Sequence, residues 1–364
     1  MKRNLWRNFD FLLFGAVVFL CLFGIIMIQS AIAGSEELSD YPQRQSIFVL
    51  IGLALVIIVA SIDYHLWSSI ARFIYVFAFL ALFIIYVYGE ARFGSARWID
   101  TGLILIQPSE IVKTLMILVL ADHFNRKRDD KHDWRWIFQS FLLTFGVVVW
   151  ILLQPNLSTS IVIFVIWFAL LWVSGLPPKY LLVMVVAVIL LVIIMFPLLE
   201  DYQQARILNF IFPDPEASYG DVYNIEQSKI AIGSGGWFGK GYGQGTQTQL
   251  RFLKVRHTDF IFSVVAEEFG FFGTTAVVTL MGFIIFRCIR IAQTASDLYG
   301  SLVAYGYSAM LFFQTAINIG VNLNLVPVSG LPFPFLSYGG SSLISTIIGI
   351  GLVESVALRK NIIQ

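Results

Sequence analysis

The feature that most limits the fold is a succession of apolar runs close to the roughly 20 residues a helix needs to cross a hydrocarbon core. They lie at 11–33, 45–62, 70–88, 108–124, 137–154, 158–175, 179–198, 259–287, 299–322 and 336–357. In lipid every backbone N–H and C=O must be paired internally, so such runs are helices rather than open strands. Composition agrees: 58% of the 364 residues are hydrophobic and 13% are charged, with a mean hydropathy of +0.79. An ordinary soluble domain holds about 25% charged residues. The expected fold is all-α, a polytopic integral membrane protein of about ten helices forming one membrane domain over 1–364.

Lys2, Arg3 and Arg7 precede the first run and give it the look of an export signal. Phe11 to Ile28 exceeds the roughly 7–15 residues of a signal core, so a retained span is expected. Basic residues then set the sides. With the N-terminus inside, Arg72, Arg126 to Arg135, Lys179, Arg287, Arg290, Arg359 and Lys360 are cytoplasmic, while the short outer loops hold Arg44, Arg92 and Arg97. Both termini are expected in the cytoplasm, and the charge run 125–135 is expected to be a solvated turn. A net charge of +1 says nothing of a nucleic-acid partner, but the sequence has no basic tail or tract of the kind that binds one, and none is expected. Cys21 and Cys288 both fall in apolar runs and read as small core residues, not a disulfide or metal pair.

One connection is far longer than the rest: residues 199–258, between the seventh and eighth spans, on the outer side. Loops of this length are usually functional or disordered. Glu200–Phe212 and Tyr223–Ile232 read as short amphipathic helices on the membrane surface, separated by a turn at Pro213-Asp214-Pro215. Seven glycines follow within the thirteen residues Gly233–Gly245. Such a run suits either a backbone cradle for an anion, with Lys240, or a hairpin or lid.

The loop enters the eighth span at Asp259. A helix over 259–273 would align Asp259, Ser263, Ala266, Gly270 and Gly273 in a small, polar stripe. That suits a cavity wall, or plain packing with Asp259 as a dipole-stabilised first-turn acid. Glu267 and Glu268 lie about 80° and 180° from Asp259 on the same wheel and are expected to partner other helices. In the fourth span Glu110 and Lys113 are three apart and share a face. That span is about 17 residues, roughly 25 Å, against a core of about 30 Å, which places the pair within the membrane zone. Intramembrane ion pairs either face a functional cavity or pin helices together. Arg97, Trp98 and Asp100 precede that span and are candidates for the same cavity, Trp98 also as an interfacial anchor. Prolines and glycines over Val326–Ser342 break the chain near membrane depth, where irregular backbone must be buried or line a polar cleft.

Taken together, Gln107-Pro-Ser-Glu110 with Lys113, Gln227–Gly236, Gly239-Lys-Gly241, His257-Thr-Asp-Phe-Ile-Phe262, Glu267-Glu268, Gly270 and Pro332–Ser342 resemble the SEDS family of shape, elongation, division and sporulation proteins. Val326 to Pro334 resembles its RodA branch, which serves elongation, more than the FtsW branch of division. Lys254-Val255-Arg256 departs from the Pro-Glu that many relatives carry before the His-Thr-Asp motif. The resemblance implies a peptidoglycan glycosyltransferase of the bacterial cytoplasmic membrane that polymerises lipid II into β-1,4 glycan strands. It implies a class B penicillin-binding protein as partner and a divalent cation, magnesium or manganese, for which the sequence shows no ligand spacing. The implied general base is Asp259. Glu110, Lys113, Arg206, Lys240, Arg256, His257, Thr258 and Ser337 are substrate-binding candidates, with Arg206, Lys240 and Arg256 for neutralising the leaving pyrophosphate and Lys113 for holding Glu110 in place. A flippase for the same lipid-linked precursor, or a non-catalytic scaffold, is the competing expectation.

Overall fold

The computed structural model describes residues 5–88, 90–92, 95–100, 105–130, 133–213 and 220–360. Lys2, Arg3, Lys131, Asp214 and Pro215, singled out above, lie outside these residues, as do the side chains of Arg92, Arg97 and Asp100. The first half contains α1 (Phe11–Ala31), α2 (Tyr41–Ser61), α3 (Tyr64–Ser69), α4 (Ala71–Tyr88), α5 (Pro108–Arg126), α6 (Trp134–Leu153), α7 (Leu157–Val173) and α8 (Lys179–Met195). The second contains α9 (Asp201–Ile211), α10 (Asp221–Gly235), α11 (Thr246–Gln249), α12 (Ile261–Gln293), α13 (Leu298–Asn322) and α14 (Gly340–Leu358). Each of the ten apolar runs is a helix.

Among the described residues seven helical stretches are long and apolar enough to cross a membrane, and Ala71–Val87 and Leu157–Val173 are apolar but shorter. The exception is α5, whose buried face carries Glu110, Lys113 and Asp122. One feature departs from the all-helical expectation. Between α4 and α5 a small antiparallel sheet forms from β1 (Glu90–Arg92), β2 (Ser95–Asp100) and β3 (Leu105–Ile106).

The core is built on α13 and α14, packed against α2, α5, α7 and α12. Missing side chains set the closest approaches, the usual device where lipid gives helices no hydrophobic reason to associate. A Cβ on Gly52 of α2 would lie 2.8 Å from Ile347 of α14, and one on Gly351 of α14 would lie 3.0 Å from Val59 of α2. By contrast α8 leaves most of its side chains uncovered, from Leu182 to Ile194.

Two expectations for the long connection change. The helix expected over Tyr223–Ile232 does not lie free on a surface: α10 buries Val222, Ile225, Ser228, Ala231 and Gly235, a helical stripe packed against α12. Nor does one stripe run from Asp259 to Gly273. The helix starts at Ile261 and breaks at Gly270, whose φ of 66° and ψ of −158° are open only to glycine. The broken turn is completed by the glycine run. Phe271 and Phe272 donate N–H groups to the carbonyls of Gly236 (2.8 Å) and Trp237 (3.2 Å). Lys240 and Gly241 donate theirs to Glu267 (2.9 Å) and Glu268 (3.0 Å). The N–H groups that an anion cradle would need are thus bonded to helix carbonyls, and the run is a backbone splice rather than a lid.

Candidate functional site

At the end of the bundle where α5, α7, α12 and α14 begin, a cavity of about 690 Å³ opens, within the roughly 300–1,000 Å³ range of ligand pockets. Its walls come from Trp98, the first turns of α5 and α7, α9, the turn before α12, and Val326–Pro332 with Tyr338–Ser342. Glu110, Arg206, Thr258 and Asp259 are among the residues that face it.

Asp259 stands two residues before α12, in a turn fixed through its backbone. Its carbonyl accepts from Asn318 Nδ2 (3.0 Å) and Asn322 Nδ2 (2.9 Å), both on α13. Asn318 also donates to the Leu331 carbonyl at 2.9 Å, joining that turn to the proline-rich wall. Asn322 Oδ1 accepts the Ser263 N–H at 3.1 Å. Ser228 of α10 completes the clamp, 2.6 Å from Ser263 Oγ and 2.7 Å from the Asn322 carbonyl. The carboxylate itself is left to the cavity: Oδ2 lies 3.9 Å from where a Cβ on Gly330 would be. Surrounding protein pushes its pKa up to about 6; nearby Arg206 opposes the rise and Asp221 adds to it. A carboxyl so placed sheds its proton near neutral pH and remains a competent base.

Arg206, on α9, pairs with Asp221 at 3.0 Å and faces the same space. Glu110 meets Lys113 at 2.8 Å, the two 6% and 2% exposed. Glu110 reaches the cavity wall while Lys113 holds it from behind.

Other candidates lie elsewhere. Lys240 pairs with Glu267 at 3.0 Å and Thr246 at 2.7 Å, inside the splice. Buried Arg256 donates to the Ala31 carbonyl and, at 3.2 Å, to that of Leu253, tying the loop to α1. His257 packs edge-on to Tyr41, ring centroids 5.4 Å apart, and burial followed by Arg256 pushes its pKa down to about 4. It is therefore a neutral aromatic at physiological pH. Ser337 does not line the cavity; it donates to the Thr258 carbonyl at 2.7 Å and accepts from Phe333 N at 2.8 Å. Arg256 and Ser337 thus hold the Asp259 turn, and neither is among the residues that line the cavity. Glu267 meets the short helix α11, accepting from Gln247 N (2.8 Å), Thr248 N (3.1 Å) and Thr248 Oγ1 (2.9 Å). Glu268 reaches another helix too, bonding Ser30 of α1.

The model of the FtsW, RodA and SpoVE family, described as cell cycle protein, matches residues 11–362. The chain belongs to this family. Among curated members, peptidoglycan glycosyltransferase MrdB of Escherichia coli K12 is 33% identical, over all of this chain and 98% of that one. A probable peptidoglycan glycosyltransferase FtsW of Hydrogenovibrio crunogenus is 34% identical over 96% of this chain and 92% of its own. Members of both branches therefore match about equally by identity. Among solved structures, Thermus thermophilus RodA superposes with a TM-score of 0.74 at 30% identity, covering 98% and 99% of the two chains. A chain of a peptidoglycan synthase complex, described as coordinating polymerisation and crosslinking, gives 0.83 at 30% identity over 97% and 98%.

Proposed function

We propose that this family member is a peptidoglycan glycosyltransferase that joins lipid II units into β-1,4 glycan strands, with Asp259 as general base. The observation that carries the role is the Asp259 carboxylate, which has no hydrogen-bond partner among the described residues and is set in the wall of a cavity large enough for sugars by two hydrogen bonds to its own backbone carbonyl. Its relatives' names support the reaction class. The acceptor sugar hydroxyl attacks the anomeric carbon of the donor. Its oxygen forms the new C–O bond, the bond to the lipid pyrophosphate breaks with its electron pair, and the hydroxyl proton passes to Asp259. In-line displacement of an α-linked donor gives the β link. Arg206 is the lining cation best placed to meet the leaving pyrophosphate, since favourable charge there replaces protonation. Glu110, oriented by Lys113, hydrogen-bonds sugar hydroxyls.

The divalent cation implied by the resemblance lacks a ready-made cage. Among the described residues no group of three His, Cys, Asp or Glu is gathered, and Glu110 is bonded to Lys113. No step here therefore runs through a metal. We further propose the elongation branch, supported by the proline-rich sequence before Ser337. A class B penicillin-binding protein is the proposed partner, supported by the likeness to a synthase-complex chain. The protein would lie in the bacterial cytoplasmic membrane with both termini cytoplasmic and the cavity opening outward.

The test is incubation of the purified protein, with its partner, with lipid II, followed by gel separation of strands. Wild type should give strands, and folded Asp259→Asn none. Strands from Asp259→Asn would remove the proposed base. Absence of strands from wild type, with lipid II moved across vesicle membranes instead, would replace the enzyme by a flippase.

A further inference from the structure

The opposite end of the bundle holds a second recess, of about 450 Å³, at the start of α1 and the ends of α12 and α14. It is lined by Arg7, Arg287, Arg290 and Lys360, with Asp10, Phe11 and Leu12. Arg287 and Arg290 are three apart on α12 and so share a face. Arg287 is already partnered, holding Asp10 through Nε at 2.8 Å and Nη2 at 2.5 Å. The Asp10 N–H in turn donates to the buried Glu354 at 2.9 Å. This floor is held by those bonds, with Asp10 paired to Arg287. Arg7, Arg290 and Lys360 are exposed and, among the described residues, none is paired with a carboxylate.

Helix dipoles explain part of this arrangement, since Arg290 and Lys360 each stand at a helix C-terminus where cations are favoured. They bear little on Arg7, which stands in the single turn of 3-10 helix Leu5–Asn8 ahead of α1. Three cations without a carboxylate partner among the described residues thus border one recess, which gives it a positive charge an anion would complement. The same recess is lined by two strongly exposed apolar side chains, Phe11 (68%) and Leu12 (63%). A free phosphate would have no use for them; an amphiphile would.

We propose that this recess binds the headgroup of an anionic phospholipid. Arg7, Arg290 and Lys360 meet the phosphate, and the acyl chains run along α1 over Phe11 and Leu12. Basic pockets at helix ends suit such headgroups, and each cation near an anionic lipid strengthens binding about fivefold.

The full chain in neutral detergent is titrated with phosphatidylglycerol, phosphatidylcholine or inorganic phosphate, and bound lipid is counted by native mass spectrometry. Wild type should retain phosphatidylglycerol in preference to phosphatidylcholine. The triple variant Arg7→Ala/Arg290→Ala/Lys360→Ala should lose that preference, by about a hundredfold if all three cations act. Its melting temperature in phosphatidylcholine should stay that of wild type, because the Asp10–Arg287 floor is untouched. A second triple variant, Arg72→Ala/Arg128→Ala/Arg135→Ala, removes as much charge elsewhere and should keep the preference. Equal losses in the two variants would mean diffuse attraction and overturn the site. Displacement of the lipid by millimolar phosphate would overturn the lipid as its occupant.

Discussion

Asp259 occupies a place that works against the stability of its own fold. Burial raises its pKa from an ordinary 3.8 to about 6, so the folded protein binds a proton more tightly than the unfolded chain. Below pH 3.8 both states hold that proton and the group costs nothing. As pH rises through about 6 the folded state must carry a buried charge, and stability falls. Asp259→Asn should therefore abolish strand synthesis while leaving the melting temperature at pH 7.5 equal to or above that of wild type. A clear drop would recast Asp259 as structural. Asn322→Ala should instead lower stability as well as synthesis. It strips one donor from the Asp259 carbonyl and one of the two acceptors of the Ser263 N–H, which keeps the Phe260 carbonyl at 3.1 Å, at a cost of about 0.5–1.5 kcal/mol per lost bond. Thermal melting should fall and synthesis with it; unchanged values for both would remove the clamp from the account. The two asparagines were not identified in advance, although a signal was present. Gln314, Asn318 and Asn322 recur every fourth residue in one span, and amides in lipid normally bond across helices. Arg206 was legible only as one of three cations. Which of them faces the cavity depends on how the long connection folds, and local sequence does not report that.

At the scale of the element, α12 is two helices joined by a loop that supplies what the break removes. A Cβ on Gly270 would lie 2.3 Å from Gly239 N, and one on Gly239 would lie 2.1 Å from the Glu268 carbonyl. Both positions also require φ above zero, at 66° and 79°. Gly270→Ala and Gly239→Ala should each lower the melting temperature sharply, since the strained backbone alone costs about 1–3 kcal/mol before any overlap. Gly282 lies in the same helix with nothing within 4 Å of a Cβ. Gly282→Ala should be neutral or slightly stabilising, by up to about 1 kcal/mol. Equal sensitivity at Gly270 and Gly282 would deny the splice its role. Helix positions were readable because apolar length is a one-dimensional signal. The break was not, because a 3.6-residue wheel presumes the continuity that Gly270 removes. The glycine run was visible, but its purpose depends on a partner segment that only the fold brings alongside.

Over the whole molecule, α5 ties the two levels together. Its polar first turn sits with Asp259 in the wall of the cavity, while Asp122 near its far end accepts from Ser68 and Arg126 at 2.5 and 2.7 Å. On the proposed orientation, ten crossings would return the chain to the cytoplasmic side, so single cysteines at positions 7 and 360 should react with a membrane-impermeant thiol reagent only after the cell membrane is opened. Labelling of either in intact cells would reverse the proposed orientation. The central claim is that Asp259 must be ionised to take the proton from the acceptor hydroxyl. It is tested most directly by the pH dependence of lipid II polymerisation by the wild-type complex, with folding monitored alongside. The rate should hold above neutrality and fall tenfold per pH unit on the acid side, with a midpoint near the carboxyl's pKa of about 6. A rate that stays level down to about pH 5 in folded protein would contradict it.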